Sequence, residues 1–188
     1  MSEKKILIIA GDFVEDYELM VPYQVLQIIH EYEVVVACPG KVIGDKIQTS
    51  VHDMNPNYGT MTEKLGHKFT ITENFNTIIN EEYDGLYLPG GRSPEYLQYN
   101  RKLINLIKYF MENNKPICSV CHGPLLLLRT KMMNGKKISA FDSIKNDVLL
   151  SGAVYCDDDV VVDGNLVTGK SYLSHVQLLK EFIQLIEE

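Results

Sequence analysis

The chain has 188 residues, 45% of them hydrophobic and 23% charged, and a net charge of −7. That length buries one substantial core, and the composition is that of a folded domain rather than a disordered one. The acidic balance, with no basic run beyond the pairs Lys4-Lys5 and Lys136-Lys137, argues against nucleic-acid binding. No apolar run is long enough to span a membrane, no signal-peptide pattern opens the chain, and the four cysteines lack a dense spacing; a cytoplasmic protein with no membrane partner is expected.

Taken in order, Ile6 to Ala10 is a continuous apolar strand, and Gly11 to Asp16 is the loop after it. Helical spacing follows through Glu18, Met20-Val21, Val25-Leu26 and Ile28-Ile29, with Pro22 tolerable in a first turn. The β-branched run Glu33 to Cys38, closed by Pro39-Gly40, is the second strand. From Lys41 to Thr72 the chain is polar. Short hairpin-like strands are expected near Ile47–Val51 and Lys68–Ile71, flanking an irregular excursion from Asp53 to Lys64.

Phe75 to Ile79 predicts a short helix, and Tyr83 to Leu88 a third strand that ends in Pro89-Gly90-Gly91-Arg92-Ser93-Pro94-Glu95. Leu103, Ile104, Leu106, Ile107, Phe110 and Met111 mark an amphipathic helix. Further on, Lys137 to Phe141 is a candidate strand, Ile144 to Leu149 a short helix, Val160 to Thr168 a hairpin turning at Asp163-Gly164, and Val176 to Ile186 a closing helix. Strands alternating with helices predict an α/β fold, with a mostly parallel central sheet covered by helices on both faces and its site at the carboxyl ends of the strands. No repeat or linker divides the chain, so residues 1–188 are expected to be a single domain.

The most informative stretch is Lys115 to Leu128. The apolar run Ile117-Cys118-Ser119-Val120 reads as a buried strand, and Gly123-Pro124 before four leucines reads as a helix start. Cys121 then falls on the turn between them, the position of a nucleophile elbow. A helix N-terminus favours thiolate, so a lowered Cys121 pKa is expected. Cys118 and Cys38 read instead as buried structural cysteines, and Cys118-Ser119-Val120-Cys121 lacks thioredoxin-like surroundings. His52-Asp53, His67 and Asp157-Asp158-Asp159 have no zinc or calcium ligand pattern, so neither metal nor cofactor is expected.

Three loops would share one sheet edge, bringing together Glu18, Gly90-Gly91 with Glu95, and Cys121-His122. The set supplies a nucleophile, a carboxyl group for proton transfer and backbone donors at Gly91 and His122 for an oxyanion, with Gly90 and Gly123 beside them.

These motifs resemble the ThiJ/PfpI family of the flavodoxin-like, class I glutamine amidotransferase-like fold. The resemblance rests on Glu15-Asp16-Tyr17-Glu18, Leu88 to Glu95, Val120-Cys121-His122-Gly123-Pro124 and the tail Val160 to Asn165. The insertion between Ser50 and Phe69, with Thr168-Gly169, Tyr172 and His175, is similar to the plant-type glyoxalase branch. The resemblance implies that Cys121 is the nucleophile, Glu18 its proton shuttle, His122 the elbow histidine, and Glu95 an acid reaching the histidine of a neighbouring subunit in a homo-oligomer (dimer, trimer or hexamer). It further implies a glyoxalase III-type conversion of a small reactive aldehyde, methylglyoxal or glyoxal, to a hydroxy acid without cofactor, or a deglycase variant of it. A PfpI-like cysteine peptidase and a redox sensor or chaperone using an oxidisable Cys121 are the alternatives. One departure is Phe141-Asp142, where many relatives have a polar aromatic or a histidine followed by proline; Phe141 has no hydrogen bond to offer.

Overall fold

The computed structural model describes residues 4–30, 32–54, 57–58 and 60–188. Strand β1 (Lys5–Ile9) leads through the two-residue β2 (Val14–Glu15) into helix α1 (Asp16–His30) and strand β3 (Glu33–Ala37). Two long strands, β4 (Lys46–Met54) and β5 (Met61–Thr70), precede β6 (Gly85–Leu88), helices α2 (Ser93–Leu97) and α3 (Arg101–Glu112), and strand β7 (Ile117–Val120). The C-terminal third holds α4 (Pro124–Leu128), β8 (Lys137–Ile138), α5 (Lys145–Leu150), β9 (Val154–Tyr155), β10 (Val160–Asp163), β11 (Leu166–Gly169) and α6 (His175–Glu187).

The central sheet has the order β10-β11-β7-β6-β1-β3. Every neighbouring pair in it is parallel except the β10–β11 hairpin. Both faces are covered, which is why its strands are continuously apolar rather than alternating. Along β1, Ile6 and Ile8 pack with Leu19 and Leu26 of α1 and Leu178 and Phe182 of α6. Leu7 and Ile9 point the other way, into Leu103, Ile107 and Phe110 of α3 and Leu126 and Leu127 of α4. The expected α/β sandwich is therefore the observed one.

Several boundaries differ from expectation. The excursion predicted from Asp53 to Lys64 is mostly strand: β4 and β5 form a long antiparallel pair, and β2 adds to β4 in parallel to make a separate three-stranded sheet. Residues 55, 56 and 59 of that excursion lie outside the described residues. Most of β5 is exposed on both faces, so it carries no apolar alternation for a reader of sequence to detect. The candidate strand Lys137–Phe141 shortens to two residues that pair with β9 outside the central sheet, because Ser139 to Phe141 turn toward Cys121: the Phe141 N–H donates to the Cys121 carbonyl at 3.1 Å. Phe75–Thr77 is a single 3-10 turn, capped by the Asn74 side chain. The hairpin turns one residue later than expected, with Asp163 paired to Leu166 across Gly164-Asn165. Ser93–Leu97, expected as loop, is a helical turn started by Pro94. Among the described residues no helix is long and apolar enough to cross a membrane.

Helix α6 closes one face through Phe182, fully buried against Tyr87 with ring centroids 6.2 Å apart. Phe182→Ala is expected to lower unfolding free energy by about 3–5 kcal/mol, read as a shift in the urea midpoint.

Candidate active site

The loops after β1, β6, β7 and β11 all open at the same edge of the sheet, so the side chains they carry converge. Cys121 follows the last residue of β7 and has φ 59°, a left-handed conformation unusual for a side chain with a β-carbon. The strain is held by bonds on both sides: the Cys121 N–H donates to the Gly169 carbonyl at 2.9 Å, and its own carbonyl accepts from Phe141. The nucleophile elbow expected at Cys121 is therefore present in the backbone itself.

Glu18 enters from the first turn of α1. Its N–H donates to Glu15 Oε2 at 2.9 Å, so Glu15 caps the helix and sets where Glu18 begins. The Glu18 carboxyl is fully buried, and its Oε2 accepts the Gly90 N–H at 2.7 Å. A β-carbon on Gly90 would lie 2.7 Å from that oxygen and 2.8 Å from Cys121 Cβ, so only glycine lets the three loops meet this closely. Gly91 has φ +67°, and a β-carbon there would overlap the backbone of Phe13 and Glu15.

The N–H groups of the two glycines beside the expected oxyanion donors are already engaged. The Gly90 N–H is used by Glu18, and the Gly123 N–H donates to the Val120 carbonyl at 2.8 Å. Those residues build the turn instead of offering donors. The backbone N–H groups of Gly91 and His122 do address the Cys121 sulfur.

The lowered thiol pKa expected from the helix start is not found. Burial pushes the Cys121 thiol well up, the nearby Glu18 charge adds to this, and the Gly91 and His122 N–H groups only partly offset it. Burial likewise raises Glu18 from an ordinary 4.5 to about 8, with Glu15 contributing repulsion. Desolvation outweighs the short helix α4.

His122 Nδ1 lies 3.2 Å from Cys121 Sγ, so the neighbouring side chains do meet across the turn. Its Nε2 is 2.9 Å from Ser143 Oγ, a partner that sequence reasoning missed because it comes from a loop 21 residues away. Phe141 packs against the His122 ring at 5.4 Å between centroids. Glu95 is not brought to His122 within the chain: it is half exposed and ion-paired with Arg92 at 3.5 Å. His52, read only as a metal candidate, is in the site: its side chain is 5% exposed and its Nε2 lies 2.8 Å from Glu63 Oε2. No local signal marks it, since the register of β4 on β5 puts His52 opposite Glu63.

Glu15, Glu18, His52, Met61, Cys121, Phe141, Ser171, Tyr172 and Leu173 enclose a cavity of about 50 Å³ over the thiol. An outer cleft of about 240 Å³, sharing the His52, Met61 and Phe141 walls, adds Glu63, Arg92, Glu95, His122 and Ser143. Both are concave and polar at chosen points, as substrate sites are.

An α/β sheet with a strained cysteine elbow facing a buried carboxyl group defines a class of cysteine-bearing sandwich proteins. The sequence matches the DJ-1/PfpI family over residues 4–185, and the chain belongs to that family. It is 38% identical to protein DJ-1 homolog D of Arabidopsis thaliana, over 98% of this chain and 48% of the relative, so it spans about half the length of that protein. It is 31% identical to a deglycase of Pyrococcus horikoshii, over 97% of this chain and 99% of the relative. Among solved structures it superposes on Drosophila melanogaster DJ-1beta with a TM-score of 0.80 at 20% identity, over 99% of this chain and 92% of that one, a likeness of fold.

Glu18 holds a proton in the folded state that the unfolded chain releases above pH 4.5, so its contribution to stability is full below that value and is lost as pH rises through about 8. Glu18→Gln removes this dependence. Urea midpoints are expected to fall for the wild type between about pH 5 and about pH 8, by at most about 1.4 kcal/mol per pH unit, and to stay flatter for Glu18→Gln.

Proposed function

We propose that the chain is a glyoxalase III-type enzyme that converts methylglyoxal or glyoxal to the hydroxy acid, using Cys121 and Glu18. The single observation that carries this reading is the pairing of a buried thiol with a buried carboxyl group, raised to about 8, over a cavity of about 50 Å³. A cavity that size admits a few heavy atoms. It suits a small dicarbonyl at the thiol. The peptidase alternative asks for an acid supplied to His122 by a neighbouring subunit; within the chain His122 Nε2 meets Ser143 and Glu95 pairs with Arg92.

In the proposed sequence the Cys121 sulfur bonds to the aldehyde carbon, and the thiol proton passes through the Glu18 carboxylate to the former carbonyl oxygen, giving a hemithioacetal. Glu18 then removes the proton from that carbon, the hydroxyl proton moves to the adjacent ketone oxygen, and Glu18 returns its proton to the second carbon. The product is a Cys121 thioester of the hydroxy acid. Water cleaves the C–S bond and releases acid and thiol. The outer cleft, with Arg92 at its rim, gives space for a larger carbonyl adduct, which supports the deglycase chemistry named for the Pyrococcus relative.

Methylglyoxal consumption without glutathione tests this. Turnover is expected for the wild type, rising as pH approaches about 8 and the Glu18 base form increases, and none is expected for Cys121→Ala. No difference between the two proteins across several substrate concentrations overturns it.

A further inference from the structure

The buried side-chain polar atoms without a hydrogen-bond partner among the described residues are Glu15 Oε1, Glu18 Oε1, Ser50 Oγ and His52 Nδ1. They are not scattered. Glu15 and Ser50 pair across β2 and β4, and His52 stands two residues beyond Ser50, on the same face of β4. Glu15, Glu18 and His52 all line the cavity that holds Cys121. The Glu15 carboxyl group also faces the His52 backbone N–H, and the Glu18 carboxyl group faces the Tyr172 N–H and the Cys121 thiol. His52 Nδ1 is therefore the atom lining the cavity that is most clearly left for a ligand, a buried polar atom left unpaired being unfavourable.

His52 is held for a particular role. The Glu63 carboxylate accepts from Nε2 at 2.8 Å, which leaves Nδ1, inside the protein, with a free lone pair. Glu15 is fixed as the cap of α1, so its second oxygen is also rigidly placed. The outer cleft of about 240 Å³, which shares the His52 wall, has room for a water beside an acyl group in the inner cavity, and a water needs two or more polar partners. Glu18 is a carboxylate again once it has returned its proton, but its Oε2 is tied to the Gly90 N–H, so the further polar groups of the cavity, His52 Nδ1 and Glu15 Oε1, are the ones placed to hold a second nucleophile.

We propose that His52, oriented by Glu63 and assisted by Glu15, binds and deprotonates the water that cleaves the Cys121 thioester. This rests on the glyoxalase reading given above. The water oxygen bonds to the acyl carbon as its proton passes to His52 Nδ1; the C–S bond breaks, the sulfur recovers that proton, and the hydroxy acid leaves. Burial raises the Glu15 pKa, which suits its carboxyl group to donating to the water while the imidazole accepts.

The test is methylglyoxal turnover by the full chain, with acid quenching, intact mass and hydroxylamine treatment of the quenched protein. Hydroxylamine cleaves a thioester, while a hemithioacetal reverses on dilution. In His52→Gln, kcat is expected to fall about 100-fold with KM falling alongside it, and Cys121 is expected to carry a hydroxylamine-sensitive adduct of one substrate molecule. A purely structural loss would lower turnover without that adduct. Unchanged kcat, or a fall with no adduct, overturns the proposal. Should His52→Gln not fold, Glu63→Gln at the cleft edge carries the test: a smaller fall with the same adduct supports it, and no adduct overturns it. A wild type that never consumes methylglyoxal removes the glyoxalase reading and this inference together, whereas an active wild type with an unaffected His52→Gln removes only the inference.

Discussion

The structure depends on the meeting of Glu18 and Cys121 away from water. Burying two acidic groups side by side is unfavourable unless protons or hydrogen bonds compensate, and the fold supplies both. The Gly90 N–H takes one carboxylate oxygen, the Gly91 and His122 N–H groups face the sulfur, and the raised pKa values keep protons on the pair. The Gly90 and Gly91 donors follow β6, the His122 donor follows β7, and Glu18 arrives from the chain after β1. The pair therefore requires β1, β6 and β7 to be adjacent and parallel, with glycine at position 90 and a left-handed residue at position 121. A left-handed non-glycine residue costs about 1–3 kcal/mol, which the well-packed sheet offsets.

The small β2-β4-β5 sheet forms the other wall of the site. Because β2 is only two residues long and runs directly into α1, the same Glu15 that pairs with Ser50 also caps the helix bearing Glu18. Asp16, one residue on, accepts from the Thr49 hydroxyl and from the His67 N–H at 3.0 Å, which ties α1 to β5 as well. The position of the carboxyl group at the thiol is thus set from two sheets at once, and a shift of β4 would be felt at Glu18 as well as at His52.

The central sheet and the thiol were legible because their signals are local. Ile117 to Val120 is an apolar run, Gly123-Pro124 starts a helix, and Cys121 lies between them. Glu18 was legible only through its motif, since an acid in a first helical turn is common. The lengths of β4 and β5 were not legible: their residues are largely polar and their pairing depends on register. His52 and Ser143 were missed for the same reason, as each enters the site through a distant partner, Glu63 or His122. Glu95 sits on the expected loop, on a turn of helix at the outer cleft where it pairs with Arg92 instead of bonding His122.

The expectation of an acidic thiol failed for a reason that bears on how such a site works. A helix start contributes through its unpaired N–H groups, and α4 is only five residues long, with its first donors spent inside the turn: Leu125 N–H on the His122 carbonyl and Leu126 N–H on the Gly123 carbonyl, each at 3.0 Å. A terminus worth about 0.3–1 kcal/mol then competes with the several kcal/mol that desolvating a charge costs. Desolvation wins, and the thiol keeps its proton until a neighbour takes it. In the proposed reaction the group that answers this is the Glu18 carboxyl group, raised to about 8, which accepts the sulfur's proton as the carbonyl carbon receives the sulfur's electrons. On that reading the nucleophile is activated at the moment of attack.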